Sequence, residues 1–304
     1  MPGAANRRKH CVTLIFTVIE IVAPVFLLAG IGLAWVRLGV PYDVAFVTRL
    51  AMTLAVPALI FTALMGTDLD PAAIATVTLA TLAAYAAVLA AMFAVTLALR
   101  LDRRTYLAPL TFGNTGNLGI PLAGYAFGQV GLELGVVTFA VSAVLVFTVG
   151  LALVAGAGNP RALLREPMVP ATLLGALFLW RGWETPLFLT NALELVGQMA
   201  IPLMLITLGV AVGRLRPVGL ARVAALSVLK VVLCAALALG VARLFGLGRE
   251  ATGVLTLQMA TPVAVTSYLL AQKYGADAEA AAGLVVVSTA LSVVAIPLLL
   301  LIVL

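Results

Sequence analysis

The amino-acid sequence predicts an all-α polytopic membrane protein in which ten transmembrane helices form an inverted 5+5 repeat and a broken fourth helix crosses a broken ninth helix. Three observations predict this fold class. Of the 304 residues, 63% are hydrophobic and only 10% are charged, far outside the balance of soluble domains. Apolar stretches of roughly 17 to 25 residues, each able to span about 30 Å of lipid, fill nearly the whole chain. Prolines also recur in the same order in the two halves.

Clusters of charge and of Pro, Gly and Asn separate the apolar stretches into ten predicted spans. The spans are residues 14–37, 44–65, 73–99, 106–127, 132–155, 167–182, 188–212, 221–245, 250–272 and 279–303. The first span follows a basic tail and resembles a signal peptide, but its apolar run continues through Trp35 without a small-residue cleavage site. We therefore expect it to remain as a helix. The sixth span, which begins at Pro167, is the shortest.

The distribution of basic residues predicts the orientation in the membrane. When loops are assigned alternately to the two sides, one side carries eleven Lys and Arg residues and the other six, while Lys230 lies inside a span. Because basic excess marks the cytoplasm, both termini are predicted to be non-cytoplasmic, although Arg7, Arg8 and Lys9 favour the opposite. Whether residues 1–12 belong to the natural start stays open. The basic clusters are short and lack interleaved aromatic residues, so no nucleic-acid partner is expected.

The two halves of the chain share a pattern of prolines. The pairs are Pro24 with Pro170, Pro57 with Pro202, and Pro121 with Pro262, which are 146, 145 and 141 residues apart. Five spans per half is an odd number, so the second repeat, residues 167–303, enters the membrane in the opposite sense to the first, residues 14–155. Inverted repeats with paired broken helices are typical of secondary transporters that bind substrate near the midplane. The alternative is that these prolines are ordinary helix kinks.

The fourth span contains the polar sequence "GNTGNLGIP" at residues 113–121. Glycines permit non-helical backbone and proline cannot donate to the preceding turn, so we expect the helix to unwind near residues 116–120. Unwound backbone at this depth must be buried in protein or line a cavity, where free amides and neutral side chains can bind an anion. The predicted substrate-binding residues of this span are Asn114, Thr115, Asn117, Gly119, Ile120 and Pro121. Alternatively, the asparagines only satisfy the broken backbone.

The ninth span supplies the partner sequence "QMATPVAVTS" at residues 258–267. Its predicted binding residues are Gln258, Thr261, Pro262, Thr266 and Ser267. Hydroxyl groups in apolar helices also bond to their own helix carbonyls, which is the alternative for each of them. Lys230 lies about 12 Å along the helix axis past Arg222, near the midplane. It is predicted either to attract the anion or to snorkel or pair structurally.

The sequence lacks the residues that sodium/proton antiporters and several classes of enzyme require. Neither broken span contains Asp or Glu, which disfavours a paired-carboxylate sodium/proton antiporter. The chain has no HExxH, GxSxG or phosphate-loop motif, and its single histidine, His10, precedes the first span. We therefore expect no enzymatic activity, no bound metal and no cofactor.

The sequence resembles the auxin efflux carrier family, which includes the plant PIN carriers and bacterial malonate or malate transporters. The resemblance rests on "GNTGNLGIPLAGYAFG" at 113–128, on residues 261–300 and on the first two spans. It implies a scaffold of spans one, two, six and seven, and a mobile transport domain of spans three to five and eight to ten, as in bile acid symporters. Asn114 matches the first crossover amide, and Pro121 and Pro262 match the crossover prolines. Thr266 departs from the Asn found in many bacterial members.

The sequence therefore predicts an elevator-type secondary transporter of small organic anions such as carboxylates or auxin-like acids, working in the lipid bilayer. Two alternatives remain: a sodium-coupled symporter of the bile acid symporter type, and a membrane sensor that does not transport. Substrate identity, direction of transport, proton or sodium coupling and assembly into a homodimer are left open by the sequence.

Overall fold

The computed structural model describes residues 4–67, 69–155, 167–215 and 220–304, and all regular elements there are helical. The loop cations Arg161, Arg165 and Arg216, which enter the orientation argument, lie outside the described residues. The helices are α1 (Ala4–Arg37), α2 (Val44–Leu50), α3 (Val56–Met65), α4 (Pro71–Ala98), α5 (Arg103–Thr111), α6 (Ile120–Leu145), α7 (Leu151–Ala155), α8 (Met168–Arg181), α9 (Leu187–Gln198), α10 (Ala200–Arg214), α11 (Leu220–Leu244), α12 (Arg249–Met259), α13 (Val265–Tyr274) and α14 (Ala278–Val303). Three five-residue π-helical turns join consecutive helices at Ala51–Ala55, Thr115–Gly119 and Val146–Gly150.

Seven helical runs in the described parts of the chain are long and apolar enough to cross a membrane. The protein is therefore a multi-pass membrane protein. The run Val44–Met65 confirms the predicted second span, residues 44–65. The sixth span is shorter, at 14 residues, and the ninth is divided between α12 and α13. Ten membrane-spanning helices therefore remain a prediction, because α8, α12 and α13 are each too short to cross a membrane as a single straight helix.

The longest run, Thr115–Ala155, is two arms folded back on each other. Gly128 has φ 64° and ψ −148°, a conformation that residues with a Cβ rarely adopt, and it bends α6 sharply. In a straight helix, Ile120 and Gly135 would be about 22 Å apart. Here a Cβ on Gly135 would lie 3.7 Å from the Cα of Ile120. The turn at Gly128 thus separates the fourth and fifth spans between residues 127 and 132, as the sequence predicts.

Aspartate side chains fix where several helices begin. Asp43 accepts from the amide of Phe46 before α2, and Asp70 accepts from that of Ala72 before α4. Asp102 accepts from the amides of Arg104 and Thr105 at the start of α5. Each carboxylate satisfies amides that have no partner inside the helix. These acids therefore serve helix ends outside the apolar core.

The helices pack as two groups, each with its own contacts. The first group comprises α1–α3 and α8–α10. Within it, α1 lies along α10, and α3 packs on α8 and α9. In the second group, α4–α7 and α11–α14 enclose an apolar core that includes Tyr85, Met92 and Leu255. Two further cores lie between the groups, one around Ile60 and the other around Leu205.

Two glycines allow α1 and α10 to touch along their backbones. A Cβ on Gly209 would overlap the carbonyl oxygen of Ala29, and a Cβ on Gly32 would overlap that of Ile206. Small residues at such contacts let membrane helices gain close van der Waals packing. These two glycines therefore let α1, from the first half of the chain, pack closely against α10, from the second half.

We predict that Gly209→Ala destabilises the protein, because the added methyl group has no space at the backbone of α1. The expected loss is about 1–3 kcal/mol of unfolding free energy, the usual effect of overpacking, measured as a lower Tm in detergent. The matched control is Gly240→Ala in α11, where a Cβ would meet nothing within 4 Å. Equal melting of the two variants would contradict the assigned contact.

Candidate functional site

The two broken helices meet where each is interrupted. Helix α5 ends at Thr111 and α12 ends at Met259, and extended segments follow both. Gly113 and Val263 form an isolated antiparallel β-bridge, and the amide of Asn114 donates to the carbonyl oxygen of Pro262 at 2.7 Å. The amide of Val263 donates to Ser288 Oγ at 2.9 Å. Backbone groups freed by one break are thus satisfied by the other break and by α14.

The first break lies one turn earlier than the sequence predicts. The extended residues are 112–114, and helical structure resumes at Thr115. Asn114 explains the shift: its Oδ1 accepts from the amide of Asn117 at 3.3 Å, so it caps the new helix. Pro121 follows the π-helical turn Thr115–Gly119, so its missing amide falls where the regular i→i−4 pattern is already interrupted. The expected unwinding at residues 116–120 is therefore wrong.

As a consequence, two backbone amides that were predicted to bind the anion donate to carbonyl groups of their own helix. The amide of Gly119 donates to the carbonyl oxygen of Asn114 at 3.1 Å, and the amide of Ile120 donates to that of Thr115. The expectation that these amides are free is wrong. The helix end lies at Thr115 and Gly116, whose amides are at the positive end of the helix dipole. A second helix begins at Val265, so two helix N-termini lie at the crossing.

A cavity of about 490 Å³ lies between the two groups of helices. Its walls are mostly apolar, with polar groups from the crossing on one side. The second group contributes both helix starts, Gly113–Asn117 and Ala264–Tyr268. The first group contributes residues of α2, the π-helical turn after it, and α10. The three π-helical turns all reach this cavity, through Met52, Thr115–Asn117, and Val146 with Gly150. Such turns are frequent at functional sites.

Asn114 contributes a buried polar atom without a partner to the lining. It is 5% exposed, and its Nδ2 is a buried donor with no partner among the described residues. A buried donor without an acceptor costs free energy, so the group is ready to bind a ligand atom. The neighbouring hydroxyls are partly used: Thr115 Oγ1 and Tyr85 OH both donate to Ser142 Oγ, at 3.1 and 2.8 Å.

The structure brings five of the predicted binding residues to the cavity. They are Asn114, Thr115, Asn117, Thr266 and Ser267. The others support the crossing from behind. Gln258 Nε2 donates to the carbonyl oxygen of Gly135 at 3.1 Å, while Thr261 Oγ1 donates to the carbonyl oxygen of Gln258 at 2.7 Å. Gly119, Ile120, Pro121 and Pro262 do not line the cavity.

Lys230 also lies behind the crossing. Its side chain is fully buried, and Nζ donates to the carbonyl oxygen of Thr261 at 2.8 Å. It therefore does not snorkel to the interface, and it belongs to the structural pairing that the sequence left open. Its charge faces the end of α12 rather than the cavity.

Sequence reasoning missed the first group's share of the lining. Arg214 is the one charged side chain that lines the cavity in the described chain, and its Nη2 donates to the carbonyl oxygen of Tyr42 at 2.6 Å. The hydroxyls of Tyr42 and Thr207 lie 2.7 Å apart beside it. A signal was present for Thr207, which lies five residues after Pro202 just as Thr62 lies five residues after Pro57. Arg214 was expected only as one of the loop cations that set the orientation.

A family model described as membrane transport protein matches residues 17–163 and 158–300, which together cover nearly the whole chain. No curated protein matches the chain.

We predict that Gly113→Ala disrupts the crossing. An added methyl group would overlap Thr261 Oγ1 and lie 2.9 Å from the carbonyl oxygen of Thr261, so the two extended segments would separate. The expected result is a loss of about 1–3 kcal/mol of stability, seen as a lower Tm. Gly30→Ala in α1, where a Cβ meets nothing within 4 Å, is the control. A wild-type Tm for Gly113→Ala would refute the close approach.

Proposed function

The chain belongs to the membrane transport protein family, which includes the auxin efflux carriers, and from that membership we propose that it is an elevator-type secondary transporter of small organic anions. The substrate binds in the cavity beside the crossing. The observation that carries the proposal is the buried Nδ2 of Asn114, which has no partner among the described residues and lies between two helix starts.

A carboxylate suits the donors at this position. One oxygen accepts from Asn114 Nδ2, and the other accepts from amides at the start of the π-helical turn or of α13, with the hydroxyls of Thr266 and Ser267 close by. Neutral donors and helix dipoles bind an anion without a buried cation in the wall of the site. Arg214 supplies positive charge on the first group's side, where it attracts anions into the cavity.

The contact between the two groups supports movement of one against the other. In the described residues, one hydrogen bond joins them, from Thr67 Oγ1 in the loop after α3 to Glu133 of α6. The remaining contact is made by the two apolar cores around Ile60 and Leu205. Apolar surfaces slide without breaking directional bonds, whereas the second group keeps its own core and crossing intact. We assign the first group as scaffold and the second as transport domain.

Burial in α4 and α11 supports the inverted repeat. The buried positions Ala80, Ala84, Val88 and Met92 recur 150 residues later as Lys230, Cys234, Ala238 and Ala242. The bridged residues Gly113 and Val263 are separated by the same 150 residues. Equivalent helices in two repeats would bury equivalent faces. The ten-helix count, the inner-membrane location and the non-cytoplasmic termini are part of this proposal.

The proposal is tested by uptake into proteoliposomes. We expect Asn114→Ala to abolish substrate-dependent uptake of radiolabelled malonate, malate or indole-3-acetate, because the carboxylate loses its donor. The variant also loses the Oδ1 bond that caps the new helix, so its Tm should fall, and uptake is compared at a temperature at which both proteins are folded. Asn191→Ala, at an exposed position of α9, removes an asparagine away from the site and should retain uptake. Wild-type uptake by Asn114→Ala would refute the site. Binding without any flux by the wild-type protein would instead indicate a sensor.

A further inference from the structure

Ser142 lies on the second arm of the bent helix α6, where that arm packs against the first helix start of the crossing. Its Oγ accepts from Thr115 Oγ1 at 3.1 Å. One turn earlier, Phe139 Cε2 would lie 2.8 Å from a Cβ on Gly116. The Ser142 side chain is 1% exposed and lines the cavity. A buried hydroxyl group therefore lies next to the residue that follows Asn114.

The oxygen atom of Ser142 is fully used as an acceptor. It accepts from Tyr85 OH at 2.8 Å as well as from Thr115 Oγ1. A hydroxyl group has two acceptor positions and one proton to donate. Because both acceptor positions are filled, any further hydrogen bond made by this side chain must be one that it donates.

The proton of Ser142 has no acceptor within the described part of the chain. Buried serines elsewhere follow the usual pattern and donate to a carbonyl oxygen of their own helix. Ser227 donates to Val223 at 2.8 Å. Ser292 donates to Thr289 at 2.6 Å. Among the described residues, Ser142 makes only the two bonds that it accepts, so a buried donor is left at the wall of the cavity.

We infer that Ser142 is a further substrate-binding residue, which donates its hydroxyl proton to the carboxylate held by Asn114 Nδ2. The inference rests on the proposed function. Each carboxylate oxygen accepts more than one hydrogen bond, so this donor adds to the helix-start amides instead of replacing them. The two bonds that Ser142 accepts polarise its O–H bond and make it a stronger donor. The site then holds the anion with neutral groups from both arms of α6.

Tyr85 is a positioning residue for this donor. Its ring is 3% exposed and packs against Phe112, with ring centroids 5.5 Å apart. The phenol group is thus fixed by packing, and the bond that it donates occupies one side of Ser142 Oγ. This bond restricts the directions in which Ser142 can donate, and the cavity is the open one. Tyr85 itself does not line the cavity.

The first test measures binding of malonate, malate and indole-3-acetate to purified variants. We expect Ser142→Ala to weaken binding of the acids that the wild-type protein binds by about tenfold or more, because a bond to a charged group is lost. Ser227→Ala removes an equally buried hydroxyl that is bonded within its own helix, and it should keep the wild-type Kd. Wild-type affinity in Ser142→Ala, or equal weakening in both variants, would overturn the inference.

A size-conserving variant answers the case in which Ser142→Ala does not fold. Ser142→Cys fills a similar volume but offers only a weak S–H donor, so we expect it to weaken acid binding as well. Wild-type affinity in Ser142→Cys would overturn the inference alone. If the wild-type protein bound none of the three acids, the proposed function would fail and the inference with it.

A double-mutant cycle tests the role of Tyr85. Tyr85→Phe removes the hydroxyl group and keeps the ring, so it should weaken acid binding by about threefold or more in the wild-type background. It should have no effect in the Ser142→Ala background, because Tyr85 acts through Ser142. Equal weakening in both backgrounds would show that Tyr85 only supports the fold and would overturn its assignment as a positioning residue.

Discussion

The pairing of two extended backbone segments inside the membrane is the constraint on which the rest of the structure depends. Lipid offers no hydrogen bonds, so every amide and carbonyl exposed by a helix break needs a partner in the protein. The bond from the Asn114 amide to the Pro262 carbonyl oxygen meets this need for both breaks at once. Gly113 allows the approach, Ser288 satisfies the amide of Val263, and Lys230 satisfies the carbonyl of Thr261.

The same pairing leaves one buried donor for a ligand. The Oδ1 of Asn114 is used to start the following helix, whereas its Nδ2 has no acceptor in the described chain. The breaks also place two helix starts beside a mostly apolar cavity. An anionic group can bind there while an apolar body fills the remaining space. Structure and binding are thus linked through a single residue.

The coarse architecture could be predicted from the sequence because it follows from hydrophobicity and proline spacing. The second span matches Val44–Met65 at both ends, and the two interruptions fall in the two polar segments. The position of the first break could not be predicted, because it depends on the bond from the Asn114 amide to the distant Pro262 carbonyl as well as on the Oδ1 cap to the Asn117 amide. Pro121 lies inside the resumed helix, directly after its π-helical turn. Sequence patterns therefore located the region of the site, but not which of its hydrogen-bond donors are free to bind a ligand.

Contacts between distant residues account for the rest. The bonds from Lys230 to Thr261 and from Gln258 to Gly135 join residues 31 and 123 positions apart, and no local pattern specifies them. Arg214 lines the cavity with its side chain bonded to the carbonyl of Tyr42, which lies 172 positions away in the sequence. The central claim, an anion site at the crossing, is tested most directly by thermal shift of the purified wild-type protein with a panel of organic acids. A site ligand stabilises the folded state by mass action, so at least one carboxylate should raise the Tm in a concentration-dependent way. An unchanged Tm across malonate, malate and indole acids at saturating concentrations would contradict the account.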